Sequence, residues 1–277
     1  YYDNGIKIFD RHGFKLPDDV EEKLEELVLN PNLIPLKQNE HLGNAKRLDE
    51  VIGRYIVHTK NILDEKIDLS GTKVVLDCAH GAAYKVGPMI FSELGLDLVT
   101  IGDEPNGVNI NEDVGSLHPE AGQAALKKHQ ASLGVLLDGD ADRLILIDEK
   151  GQVVEGDQVI ALIARRMVDQ GHLKKGDVVV GTVMSNLGLQ RYIEGLGLKF
   201  ERTKVGDRYI IEKMIEKKSI LGGEPSGHII LKQYSTTGDG ILGALKVMEC
   251  IQYYKKPLSQ LVKDILLYPQ MIKNVKV

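Results

Sequence analysis

Residues 133–148 read LGVLLDGDADRLILID, and this stretch decides the fold class. Two apolar runs, Gly134 to Leu137 and Leu144 to Ile147, flank a loop carrying Asp138, Asp140 and Asp142, then Arg143. Each run is about strand length and rich in Leu and β-branched residues. The predicted geometry is strand, tight acidic loop, strand. Carboxylates at alternate positions of one turn repel each other unless a cation sits among them. Oxygen donors without His or Cys point to Mg²⁺ or Ca²⁺ rather than zinc.

An EF-hand calcium loop is the main rival. Asp138, Asp140 and Asp142 would fill its positions 1, 3 and 5, and Glu149 its position 12. That loop needs Gly at position 6 for a sharp turn, and here the residue is Arg143. Both flanks also read as strands, so the EF-hand is rejected. A solvated acidic turn is the plainer alternative. Three spaced carboxylates followed by Arg between apolar runs weigh against it.

The 277 residues suit two domains of ordinary size, or more if small. Hydrophobic content of 43% and charged content of 27% fit a soluble globular protein. The net charge of −5 argues against a general nucleic-acid surface. No apolar run approaches a membrane span, and no signal peptide is visible. Cys78 and Cys250 lie far apart without metal-ligand spacing, so Cys78, in an apolar strand, reads as a buried thiol. A cytoplasmic location follows. The chain opens on YYDNGIKIFD without Met, and Met271 to Val277 alternates like a strand with no partner, so it reads as the middle of a longer chain.

Moving outward, residues 5–9 read as a strand, with a turn at Arg11-His12-Gly13 into a short strand at Phe14 to Leu16. Pro17-Asp18-Asp19 starts a helix that Asn30-Pro31-Asn32 ends. Residues 45–64 read as a second helix. Two segments then share one plan. KVVLD (73–77), a CAHGAA turn, a helix over 84–94 and a strand at 98–101 match VVVGTV (178–183), an MSN turn, a helix over 187–196 and a strand at 199–203. ELGLDLVTIGDEPNG and GLGLKFERTKVGDRY run in parallel about 100 residues apart. Each unit then reaches a hairpin, one carrying DGDADR and the other GEPSGH. Helices at 118–129, 157–170, 208–217 and 239–254 complete them. The predicted fold is α/β: two tandem similar α/β layered domains with mixed sheets, plus a partial N-terminal α/β remnant. The predicted boundaries are 1–48 for the remnant and the start of a connecting helix, 49–152, 153–267, and 268–277 for the first strand of a further domain.

Equivalent loops of two similar domains can face one cleft. The first supplies a cation site. In the second, Glu224 and Ser226 share a face of an extended loop and suit a pair of sugar hydroxyls. His228 suits a phosphate or a proton shuttle. The alternative is a Gly-Pro hairpin with incidental polar residues. The loop Thr203-Lys204-Val205-Gly206-Asp207-Arg208 sets two cations around a glycine, which suits a phosphate. Its plainer reading is a solvated turn with Asp207 capping the next helix. STTGDGI reads as hydroxyls capping a helix at Asp239. PNGVNINEDVGS (105–116) reads as a long irregular loop.

YYDNGIKIF, PNGVNIN with GSLHPE, DGDADR, TKVGDRY, GEPSGH and TTGDGI, in this order, resemble the α-D-phosphohexomutase superfamily, most closely its bacterial phosphoglucosamine mutases. The resemblance implies four α/β domains around a deep cleft. It implies interconversion of glucosamine 6-phosphate and glucosamine 1-phosphate through a phosphoserine enzyme and a bisphosphate intermediate. The phosphoserine of that family lies just upstream of a Y-x-D-N-G stretch, so these residues alone are expected not to turn over. By resemblance Asp138, Asp140 and Asp142 hold Mg²⁺, and Arg143 neutralises the transferred phosphoryl group. Glu224 and Ser226 hold sugar hydroxyls, while Thr203, Lys204, Gly206, Asp207, Arg208 and His228 line the cleft. Arg143, Lys204 and His228 are the expected catalytic side chains. The expected partner is a phosphorylated hexose or hexosamine, with no nucleic acid and no membrane, and a homodimer would form through the first domain. Pro225 stands where those mutases usually carry Gln. Phosphomannomutase or phosphoglucomutase, and a non-catalytic metal and sugar-phosphate binding module, therefore stand as alternatives.

Overall fold

The structure, a computed structural model, describes residues 7–48 and 50–271. The described residues form two units, one up to Arg54 and one from Tyr55 onward. Within the first, α1 (Asp18–Leu29) starts after Pro17 with Asp18, Asp19 and Glu21 in its first turn, where carboxylates favour the helix dipole. Asn30 closes it, as expected. The strand expected at 5–9 is not formed by its described residues. Phe9 and Lys15 make a single antiparallel bridge, and the Asp10 carboxylate ties the intervening turn by accepting from the His12 and Phe14 amides. The second helix, α2 (Val51–Lys60), is shorter than the expected 45–64. At its C-terminal side the Asp64 side chain and carbonyl accept from Lys66 and Ile67, which turns the chain. The strand expected at 271–277 lies outside the described residues but for Met271, which is irregular.

The duplicated plan is present as two sheets of matching strand order. In the first, β1 (Lys73–Asp77) runs parallel to β2 (Asp97–Ile101) on one side and β3 (Leu133–Leu137) on the other. β4 (Leu144–Ile147) and β5 (Val153–Val154) then extend the sheet antiparallel. In the second, β6 (Val178–Thr182) runs parallel to β7 (Lys199–Thr203) and β8 (Leu221–Gly223), and β9 (Ile229–Leu231) adds antiparallel. The sheet orders are β2-β1-β3-β4-β5 and β7-β6-β8-β9. The remaining helices are α3 (Val86–Glu93), α4 (Pro119–His129), α5 (Gly156–Asp169), α6 (Leu187–Gly195), α7 (Asp207–Glu216), α8 (Gly240–Tyr254) and α9 (Leu258–Leu261).

Strand alternation distributes these helices into layers. Val75 and Leu136 point to a small cluster with Leu126 of α4, whereas Val74, Leu76, Val135 and Leu137 point to the main core. Likewise Val180 and Ile230 face Ile210 and Met214 of α7, while Val179 and Leu221 face the main core. Between the sheets lie α5 and α8, which pack on each other, α5 against β8 and α8 against β4 and β9. Both are buried over most of their length, α8 with the more apolar sequence and α5 with Asp157 and Arg166 among its buried residues. Each fully buried Leu or Ile there contributes about 1.5–3 kcal/mol. One shared core therefore fixes the two sheets, and with them their loops, in a single frame.

Candidate functional site

Both hairpin loops sit at the carboxyl ends of parallel strands, where open α/β sheets place their ligand sites. The acidic loop joins β3 to β4, and GEPSGH joins β8 to β9. The two loops meet. Arg143 and His228 form an isolated antiparallel bridge, and the Leu144 amide donates to the Gly227 carbonyl at 3.0 Å. Gly227 has φ +89 and its α-carbon lies against the Leu144 backbone, so a side chain there would be both strained and blocked. The start of α8 closes the junction, with the Gly240 amide donating to the Ala141 carbonyl at 2.9 Å.

Asp138, Asp140 and Asp142 each present an oxygen, and these oxygens lie within 4.8 Å of one another. Burial, then the charge of Asp142, raise the Asp138 carboxyl to about 6. The Arg143 amide works the other way, donating to Asp138 Oδ1 at 3.1 Å. Arg143 Nε stands 3.8 Å from Asp138 and 3.9 Å from Asp142, with its side chain 47% exposed. Three carboxylates with oxygens this close repel one another, and hard oxygen donors at this spacing fit a divalent cation. Glu149, the EF-hand's twelfth position, turns instead to Ser259, whose hydroxyl and amide it holds.

His228 is only 3% exposed. The Gly238 amide donates to its Nε2 at 3.2 Å, so the ring proton sits on Nδ1, 3.5 Å from Asp142 Oδ2. A Cβ on Gly238 would lie 2.6 Å from the ring, so this close approach requires glycine. The histidine expected to meet a phosphate thus braces a carboxylate of the acidic loop. Glu224 is half-buried and accepts from the Gly206 amide at 3.0 Å, which fastens GEPSGH to the TKVGDR loop. Ser226 and Lys204 are exposed. Thr203 ends β7, and its hydroxyl donates to the Lys204 carbonyl at 2.8 Å. Asp207 is the first residue of α7 rather than its cap, which is Gly206, and it accepts from the Arg208 amide. Arg208 Nε pairs with Glu212 at 2.9 Å.

Several supporting groups carry no sequence signal. Asp77, fully buried, accepts from the Ala79 and Gly115 amides and pins the CAHGAA turn to the Asn-rich loop. Burial holds its carboxyl above the usual range. Ala82 donates to the Gly139 carbonyl at 2.7 Å, so that turn supports the acidic loop from behind. The helix α8 is capped by the Asp239 carboxylate, not by the hydroxyls before it, and Tyr55 donates to the same carboxylate at 2.8 Å. Cys78 is a buried free thiol, as expected, and so is Cys250. Among the described residues no helix is long and apolar enough to cross a membrane.

Comparison with known proteins agrees with this architecture. The profile of phosphoglucomutase/phosphomannomutase alpha/beta/alpha domain II matches residues 53–151, and that of domain III matches residues 155–268. A phosphoglucosamine mutase of Citrifermentans bemidjiense is 48% identical over 277 residues, covering 100% of this chain and 61% of that protein. One of Bradyrhizobium diazoefficiens is 49% identical over 276 residues, covering 100% and 62%. The chain thus spans less than two thirds of the curated relatives it matches. Among solved structures, a phosphoglucomutase/phosphomannomutase family protein from Burkholderia thailandensis superposes with TM-score 0.75 at 23% identity, over 88% of this chain and 51% of that one. The Aspergillus fumigatus N-acetylphosphoglucosamine mutase, solved with GlcNAc-6P and magnesium, gives TM-score 0.60 at 20% identity, over 79% and 53%.

Proposed function

The chain belongs to the phosphoglucomutase/phosphomannomutase family, and from that premise we propose that it serves a phosphosugar mutase interconverting glucosamine 6-phosphate and glucosamine 1-phosphate through a phosphoserine enzyme and a bisphosphate intermediate. Asp138, Asp140 and Asp142 would hold Mg²⁺, which supplies charge neutralisation at the transferred phosphoryl group. Arg143, half exposed beside the triad, adds a cation to the same phosphoryl oxygens. Glu224 and Ser226 take a pair of sugar hydroxyls. Thr203, Lys204, Gly206, Asp207 and Arg208 form the neighbouring loop, whose cations hold the phosphate that is not reacting. Lys204, exposed in that loop, is our candidate to move a proton at the sugar oxygen. His228 acts through Asp142, whose carboxylate it orients.

The observation that supports this reading is the bridge between Arg143 and His228, which sets the acidic loop beside the GEPSGH loop of the duplicate domain. Phosphoryl transfer asks chiefly for that positioning. Steady-state turnover of the full-length protein tests it. We expect kcat/KM for glucosamine 6-phosphate to exceed that for mannose 6-phosphate. A clear preference for mannose 6-phosphate, or for glucose 6-phosphate, would assign the chain to the sister activity.

A further inference from the structure

A cavity of about 610 Å³ opens beside the C-terminal halves of α5 and α8. Its lining holds Arg166, Gln170, Tyr234, Lys246, Tyr253 and Lys255, with Lys66 and His172 at the rim. The acidic loop meets the opposite end of α8, at Gly240. Along α8 the lining residues run from Lys246 to Tyr253, so the nearest stands about 9 Å along the axis from Gly240.

The charge around the cavity runs against the charge of the chain. Its lining includes the cations Lys66, Arg166, Lys246 and Lys255 and one acid, Asp64, which pairs with the Arg166 guanidinium at 3.7 Å, in a protein of net charge −5. Two of these cations are held in place from beneath. Glu249, 0% exposed, accepts from Arg166 Nε at 3.0 Å, from Lys246 Nζ at 2.8 Å and from Gln170 at 2.8 Å. Lys246 also donates to the Ile62 carbonyl at 2.6 Å, which commits two of its three ammonium protons. The Arg166 guanidinium lies 3.6 Å over the Tyr253 ring, and the Lys246 ammonium 5.0 Å from the Tyr234 ring. Side chains so held lose little freedom when a ligand arrives. Fixed cations beside aromatic and carboxamide groups suit phosphate oxygens joined to a planar ring, and the volume falls in the range of small-molecule sites.

We propose that this cavity is a second ligand site, for an organic phosphate of nucleotide size. It is separate from the sugar-phosphate cleft and does not depend on the function proposed for that cleft. The test is calorimetric titration of the purified protein with ADP in EDTA, with adenosine as the uncharged control. We expect one ADP per chain and no adenosine binding. The rim double variant Lys66→Glu/Lys255→Glu should weaken ADP by at least about tenfold, whereas Asp140→Asn/Asp142→Asn should leave its affinity unchanged. Both rim lysines are exposed, so the variant folds without rearranging a core. No heat from ADP up to about 5 mM, or binding that follows the acidic-loop variant and ignores the rim reversal, would overturn the proposal.

Discussion

Arg143 and His228, contributed by different domains, face each other as one rung of antiparallel backbone, with the Leu144–Gly227 hydrogen bond beside it. This rung joins the acidic loop to the GEPSGH loop. Gly227 makes the rung possible by holding φ +89 against the Leu144 backbone. Gly227→Ala adds left-handed strain of about 1–2 kcal/mol and a backbone clash of about 1–3 kcal/mol. Urea denaturation is therefore expected to show a loss of about 2–4 kcal/mol. A variant as stable as the parent would mean that the two loops are not joined there.

Glu224 spends one oxygen on the Gly206 amide. If its other oxygen takes a sugar hydroxyl, Glu224→Gln should lower kcat/KM of the full-length enzyme about 10–100-fold, the range for a charged hydrogen bond. Ser226→Ala, at an exposed position, should change stability by less than about 0.5 kcal/mol while raising KM. An unchanged KM in both variants would remove this loop from substrate binding.

Glu249 is buried between two cations, and replacing it with Gln leaves both undercompensated at nearly constant volume. A loss of about 3–5 kcal/mol is expected from breaking a buried ion pair on one side. Thermal or urea unfolding measures it. A loss below about 1 kcal/mol would show that water reaches the cluster.

Asp157, 1% exposed, accepts from the Asn186 amide at 2.5 Å, and burial pushes its carboxyl up to about 6. A carboxyl raised on folding makes the folded state bind more protons than the unfolded one between the two values. Its contribution is therefore fully present below the ordinary Asp range and is lost as pH rises through about 6. Asp138 is raised in the same direction, so the measurement belongs in saturating Mg²⁺, which keeps the acidic loop ionised. Melting temperature should fall between pH 4 and 6 in the parent, and Asp157→Asn should flatten that fall. An equal slope in both proteins would contradict the assignment.

How much of this was legible beforehand follows from what each residue type signals. The strands around Asp138 and the repeated strand–helix–strand plan carry apolar periodicity, and they were placed to within a residue or two. Gly95 and Gly197, both at positive φ, marked helix ends for the same steric reason. The clustering of Asp138, Asp140 and Asp142 was legible because alternate positions of one tight loop bring their carboxylates together. The contacts of His228 were not, because its ring partners, Gly238 and Asp142, come from two other segments and no spacing in the sequence records them. Asp77 and Asp239 were missed for a related reason: a lone Asp in a strand or before a helix gives no sign of which amides it will accept. The second helix was read too long because apolar spacing continues to Ile62, while the turn at Asp64 depends on its own side chain.

The account rests on the acidic loop holding one divalent ion. Titration of Mn²⁺, a Mg²⁺ surrogate, followed by the loss of its free electron-spin-resonance signal measures that directly. One Mn²⁺ should bind per chain at pH 7.5 and be displaced by Mg²⁺. Affinity should fall at pH 5, where Asp138 is protonated, and binding should be lost in Asp138→Asn, Asp140→Asn and Asp142→Asn. An unbound Mn²⁺ signal in the parent, or equal binding by the parent and the triple variant, would contradict it.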